Sequence, residues 1–155
     1  MRNGLRKRVY DMKVQELRIE NYVKYNGSIV SVYAISNPTP NKDKHFDNKA
    51  RVTLWCNGLI DATIDEIEPI LITEELLLKN GFELTDKPIV KTDLRLQPHF
   101  VYRKTVDNVT IDVDPVQVFI HQKRGTMLNI QGLKHLHQLQ NAFYLATSTE
   151  LSIKL

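Results

Sequence analysis

Cysteine is nearly absent from this chain: Cys56 is its single one among 155 residues. No internal disulfide can form, and no Cys-rich metal knuckle can be built. Cys56 follows Trp55 in an apolar run. It reads as a small buried hydrophobe in a reducing compartment, since a reactive thiol needs an electropositive, partly exposed setting. Glycine is also sparse, six in all and each standing singly. That excludes a Gly-rich phosphate loop. The motifs H-E-x-x-H, CxxC and the nucleophile elbow are missing as well. No apolar run is long enough to span a bilayer. The basic N-terminus lacks an apolar core, so it is no secretory signal, and the expected setting is cytoplasmic.

Charge of one sign is lacking where it would matter most. The net charge is +3, but residues 1–11 hold four of the 21 basic groups and one of the 18 acidic groups. The remaining chain is left with 17 of each and is neutral. A protein that tracks phosphates along a duplex would carry a basic face. The balance counts against duplex binding by the body.

What is present is the make-up of an ordinary globular protein, 42% hydrophobic and 25% charged. The expected fold is α+β. Residues 1–13 read as a mobile basic arm, and Met12 as an alternative start. Residues 14–72 read as a small SH3-like β-barrel of short strands. Leu17, Ile19, Tyr22 and Val23 open it, and Asn26-Gly27 and Asn57-Gly58 turn its hairpins. Val52, Leu54 and Cys56 alternate onto one face.

Residues 73–82 read as a two-turn bridging helix. Thr73 is its N-cap, Glu74 and Glu75 meet the dipole, and Gly81 ends it with Phe82 folding back on Leu77. Residues 83–155 read as an antiparallel sheet packed by one long helix and closed by a final strand. A further strand is expected at Ile89 to Leu96, and the two halves are expected to share a core. On the helix, placed at 133–147, Leu136, Leu139, Phe143 and Ala146 share an 80° arc, the spacing of a core-facing stripe. His135 and His137 lie 200° apart on that helix and cannot share a metal ion. Leu151, Ile153 and Leu155 alternate as the final strand.

Candidate functional residues follow. Lys134, His137 and Asn141 fall opposite the stripe, and Tyr144 and Leu145 join them there, an apolar pair on a polar side. These five form a candidate partner surface. Lys42, Lys44, His45 and Lys49 surround Phe46 in a polar loop, a composition that suits contact with single-stranded nucleic acid. Such binding would be weak and salt-sensitive, with the basic arm as auxiliary. Asp112 and Asp114 form a D-x-D on one strand face, read as solvated; with His99 and His121 they make the outline of a hydrolase-type site. No cofactor, metal site or catalytic residue is assigned.

Three blocks carry a resemblance: ELRIENYVKY at 16–25, PILITEELLLKNGFE at 69–83 and KHLHQLQNAFYLATSTELSI at 134–153. In this order they resemble the landmarks of a family of uncharacterised small proteins from prophage and mobile-element regions of gut bacteria. The resemblance runs from about residue 12 onward and implies a phage-type context without an activity. The family tends to carry glycine where this chain has Glu20 and Ser148. Serine at an expected left-handed helix end costs on the order of 1 kcal/mol against glycine. The missing glycine at Glu20 argues against a tight turn after Ile19.

The leading expectation is a non-enzymatic binding protein acting on a host or phage protein. A nucleic-acid accessory protein is the alternative, and a hydrolase-type enzyme the third. Because residues 1–11 lack pattern and carry the charge bias, they are predicted to be dispensable. Thermal melts of the full chain and of a chain starting at Met12 should agree; a loss of more than a few degrees in the shorter chain refutes this.

Overall fold

The computed structural model describes residues 12–36, 50–85, 101–114, 117–122 and 127–154. The chain divides into two units, Met1–Ile70 and Leu71–Leu155. Among the described residues, the two main clusters of buried apolar side chains fall one within each unit.

In the first unit a 3-10 turn at Val14–Glu16 precedes β1 (Tyr22–Tyr25), β2 (Ser28–Ser36), β3 (Arg51–Trp55) and β4 (Leu59–Thr63). A second 3-10 turn, Ile64–Glu66, leads into β5 (Ile67–Glu68). The sheet is antiparallel in the order β4-β3-β2-β1-β5. Asn26 and Gly27 sit between the paired Tyr25 and Ser28 with φ of 49° and 79°. Both values are positive, as the type I′ turn requires, and this tight turn sets the register of β1 on β2. From there alternation does the rest. Val23, Val30, Val32, Val52, Leu54 and Ala62 face inward and are buried together with Ile67, Leu17 and Met12. Burying each valine or leucine stabilises the fold by roughly 1.5–3 kcal/mol.

Two expectations change here. Cys56 is exposed. Strand β3 ends at Trp55, and Cys56 opens a three-residue loop between the paired Trp55 and Leu59, its N–H donating to the Gly58 carbonyl at 2.9 Å. Alternation holds only inside the ladder. The tight turn after Ile19 is present without glycine: the Asn21 N–H donates to the Arg18 carbonyl at 3.2 Å, and Glu20 takes φ 72°. The buried Asn21 side chain supports it, its Oδ1 accepting from the Arg18 N–H at 2.8 Å.

In the second unit α1 (Glu74–Lys79) is capped by Thr73, whose Oγ1 accepts from the Leu76 N–H at 3.2 Å. It ends in a Schellman pair: Gly81 N–H donates to the Leu78 carbonyl and Phe82 N–H to the Leu77 carbonyl, each at 3.0 Å. Gly81 takes φ 74°, and Phe82 and Leu77 are buried in one cluster. In sequence α1 lies just inside the second unit, Leu71–Leu155.

Five strands follow: β6 (Glu83–Thr85), β7 (Val101–Val106), β8 (Val109–Val113), β9 (Gln117–Gln122) and β10 (Met127–Gln131). They form an antiparallel meander in the order β10-β9-β8-β7-β6. Val109, Ile111, Val113, Val118 and Ile120 cluster with Leu139, Ala142 and Phe143 of α2 (Leu136–Thr147). The expected strand at 89–96 lies outside the described residues.

The helix begins at Leu136 because the chain before it is extended, with Leu71 and His135 in a β-bridge. Gln138 reaches back, its Oε1 accepting from the N–H groups of Lys134 and His135 at 3.0 and 3.1 Å. At the far end Ser148 takes φ 58°, and its N–H donates to the Tyr144 carbonyl at 2.7 Å.

The expected final strand joins no ladder among the described residues. Leu151 is buried and Ile153 packs beside it. The backbone of Lys154 pairs instead with the Asn80 side chain: Asn80 Nδ2 donates to the Lys154 carbonyl at 3.0 Å, and Lys154 N–H donates to Asn80 Oδ1 at 2.5 Å. One amide thus takes the place of a neighbouring strand. The Lys104 ammonium donates to the Asn80 carbonyl at 2.7 Å. Burial, then the charge of Lys154, lowers its pKa.

Glu20 and Ser148 therefore occupy left-handed backbone with β-carbons. Such strain costs roughly 1–2 kcal/mol, of which glycine's greater freedom in the unfolded chain returns a part. Glu20→Gly and Ser148→Gly are each expected to add about 0.5–1 kcal/mol of stability in urea unfolding. A lowered midpoint in either variant contradicts the backbone assignment.

Candidate interaction surface

Alternation that buries one side of the first sheet presents the other. Tyr22, Ser31, Trp55 and Leu59 stand opposite one another on β1 to β4 and make one rung across four strands. Trp55 is 54% and Leu59 57% exposed. Ile29, two residues before Ser31 and so on the same face, is exposed too.

A β-bulge completes the patch. Val32 pairs with Leu54 and Ala34 with Thr53, so Tyr33 is one residue too many on β2. Strict alternation from buried Val32 would send the residues beyond Tyr33 to the wrong sides. The extra residue resets the count, and buried Val52 still faces Ile35. Tyr33 is left 54% exposed with its ring centroid 6.4 Å from that of Trp55, the planes tilted by 36°. Asp61, also exposed, follows Leu59 on the same face, and its Oδ1 accepts from the Thr53 hydroxyl at 2.9 Å. Single exposed hydrophobes are common on protein surfaces; clustered aromatic and aliphatic groups with a polar rim mark contact sites.

The surface expected on α2 is only partly there. Lys134, Tyr144 and Leu145 are exposed, Leu145 at 76%, and Asn141 is half-buried. His137 is corrected: it is fully buried. Burial around the first turn extends past the apolar stripe through Gln140 to His137. The His137 ring stacks on that of His135, centroids 5.8 Å apart at 10°. His135 is the residue before the helix, in extended backbone, which brings the rings together despite their separation on an ideal wheel. Among the described residues no group of three His, Cys, Asp or Glu side chains is placed to hold a metal ion. No described helix is long and apolar enough to cross a membrane. Lys42, Lys44, His45, Phe46 and Lys49 lie outside the described residues, as does His99.

The second sheet brings Asp112 and His121 together, and adds Arg103. Arg103 lies opposite Asp112 on β7 and β8, with His121 diagonal on β9. Arg103 Nε and Nη2 donate to Asp112 Oδ1 and Oδ2 at 2.6 and 2.8 Å. His121 Nε2 stands 3.0 Å from Oδ2. Asp112, expected on a solvated face, is buried under these two half-exposed side chains. The hydrogen bond to Asp112 raises the already high pKa of Arg103. Asp114 does not join them; its Oδ1 accepts from the Gln117 N–H at 2.7 Å.

Both oxygens of Asp112 are thus engaged, which makes the cluster a clip across three strands. Thr110, opposite His121, shares a hydrogen bond with Thr105 at 3.1 Å. The Arg103 contact was legible: Val106 and Val109 flank the turn, and three steps back and forward from them give 103 and 112.

Comparison of the chain with protein-family models, curated proteins and solved structures returns no match.

Phe143 is buried mid-stripe and Tyr144 is exposed beside it. Phe143→Ala should cost about 3–5 kcal/mol. Tyr144→Ala should cost less than about 1 kcal/mol. Urea unfolding of both variants checks this, and a Phe143→Ala protein as stable as the parent chain contradicts the helix orientation.

Proposed function

We propose that the chain is a non-enzymatic binding protein of phage or mobile-element origin, acting in the cytoplasm on a host or phage protein through protein–protein contacts. The exposed Tyr33–Trp55–Leu59 cluster on the outer face of the first sheet carries this reading. Large aromatic groups are the anchors from which interfaces draw most of their energy. Here one is presented by a regular rung and a second by a bulge, both on backbone held by the ladder. The order β4-β3-β2-β1-β5 supports an SH3-like barrel, since β1 pairs with both β2 and the last strand and so begins to close the sheet. Tyr144 and Leu145 offer a second, smaller contact on the other unit.

One observation favours the nucleic-acid alternative: an exposed Tyr–Trp platform also suits base stacking. Charge weighs against it. Among its described residues the first unit holds Lys13, Arg18, Lys24 and Arg51 against Glu16, Glu20, Asp61, Asp65, Glu66 and Glu68, so the further basic groups that give the whole unit 11 against 9 acidic ones lie in residues 1–11 and 37–49 and not on the strands that carry the platform. Asp112, buried with both oxygens engaged, weighs against the hydrolase reading.

Affinity capture from a host lysate, with mass spectrometry, tests the proposal when run with the parent chain and with a Tyr33→Ser, Trp55→Ser double variant. Both side chains are exposed, so the variant should melt within a few degrees of the parent. It is expected to lose a specific protein that the parent retains. Equal capture by a folded variant rules this face out.

A further inference from the structure

We propose that the occupant of this face is a polypeptide segment bearing an arginine beside aliphatic side chains, with the guanidinium seated on the Tyr33 and Trp55 rings and turned toward Asp61. This rests on the reading of the face as a protein-docking surface and names the chemistry of what docks there.

Three observations point the same way. The two rings, 6.4 Å apart and tilted by 36°, are not stacked face to face, so their π faces are not spent on each other. A cation over the face of Trp or Tyr is attracted by the ring quadrupole, and the planar guanidinium also stacks there. Asp61 supplies a carboxylate on the same face, one strand beyond Trp55 and two residues from Leu59. Cross-strand diagonals of this kind lie about 7–8 Å apart, within reach of one long side chain. Finally, the rung Tyr22–Ser31–Trp55–Leu59 holds no cation of its own. Lys24 stands opposite Glu68 on β5, and Arg51 lies at the far end of β3. Leu59 and Ile29 then offer the apolar contact that aliphatic neighbours of the arginine would cover. An anionic ligand would gain the same apolar area but meet the Asp61 carboxylate.

Trp55 is the only tryptophan in the chain, so intrinsic fluorescence reads this site alone. The full chain is titrated with an acetylated, amidated peptide of alternating leucine and arginine. Matched peptides carry citrulline or glutamate in place of arginine, and oligothymidylate is the nucleic-acid probe. The arginine peptide should change Trp55 emission saturably. The citrulline peptide should bind about tenfold more weakly, about 1.4 kcal/mol, which lies between the exposed and the desolvated values of a cation–π contact.

Asp61→Asn should weaken the arginine peptide about threefold, the size of one exposed ion pair, and leave the citrulline peptide unchanged. Equal affinity for arginine and citrulline, preference for glutamate, tighter binding of oligothymidylate, or indifference to Asp61→Asn overturns the inference. If arginine preference is absent while capture still depends on Tyr33 and Trp55, only the occupant is wrong. If no peptide perturbs Trp55 and the Tyr33→Ser, Trp55→Ser variant captures normally, the docking surface itself falls.

Discussion

One extra residue, Tyr33, decides what the first unit shows to solvent. Side chains alternate strictly along a strand, so register alone assigns each residue to the core or to the outside. β2 is nine residues long and must serve β1 on one edge and β3 on the other. The Asn26-Gly27 turn fixes its pairing at one end. The bulge shifts the count between Val32 and Ala34, so that Val32 and Ile35 both meet core positions of β3. The residue displaced to achieve this is an aromatic, and it comes to rest beside the only tryptophan. The exposed cluster is thus a consequence of how the core is kept in register.

The second unit solves a different problem. Its sheet is covered on one side by α2, whose Leu139, Ala142 and Phe143 pack against β8 and β9. On the opposite side a buried carboxylate would be costly if left alone. Arg103 and His121 answer it from both neighbouring strands, so the charge ties β7, β8 and β9 together. Removing one partner of such a group costs far more than the group contributes as a whole. Asn80 does comparable work at the chain's end, standing in for a strand by binding both backbone groups of Lys154.

Much of this was legible in the residues. The α+β class, the Asn26-Gly27 hairpin, both ends of α1 and the stripe Leu136–Leu139–Phe143 follow from local rules that tertiary structure left in force. Three of the misses are of one kind. Cys56, His137 and Asp112 were each placed by extending a periodic pattern to its limit. Cys56 lies one residue past the ladder, and His137 lies in a first turn stacked on the segment before it. Asp112 sits where two other strands supply its partners. The Tyr33 bulge was not legible, because nothing in an apolar strand marks which residue is supernumerary. Glu20 and Ser148 show the converse: left-handed turns persist where glycine was expected, because Val32 and Tyr144 still provide the backbone bonds.

The account depends on Trp55 being open in the free chain and covered in the complex. Acrylamide quenching measures both. In the protein alone Trp55 is predicted to be quenched readily, with the red-shifted emission of a solvated indole, and to become shielded when the captured partner is bound. A blue-shifted, poorly quenched tryptophan in the free chain, or one equally accessible with and without the partner, would contradict it.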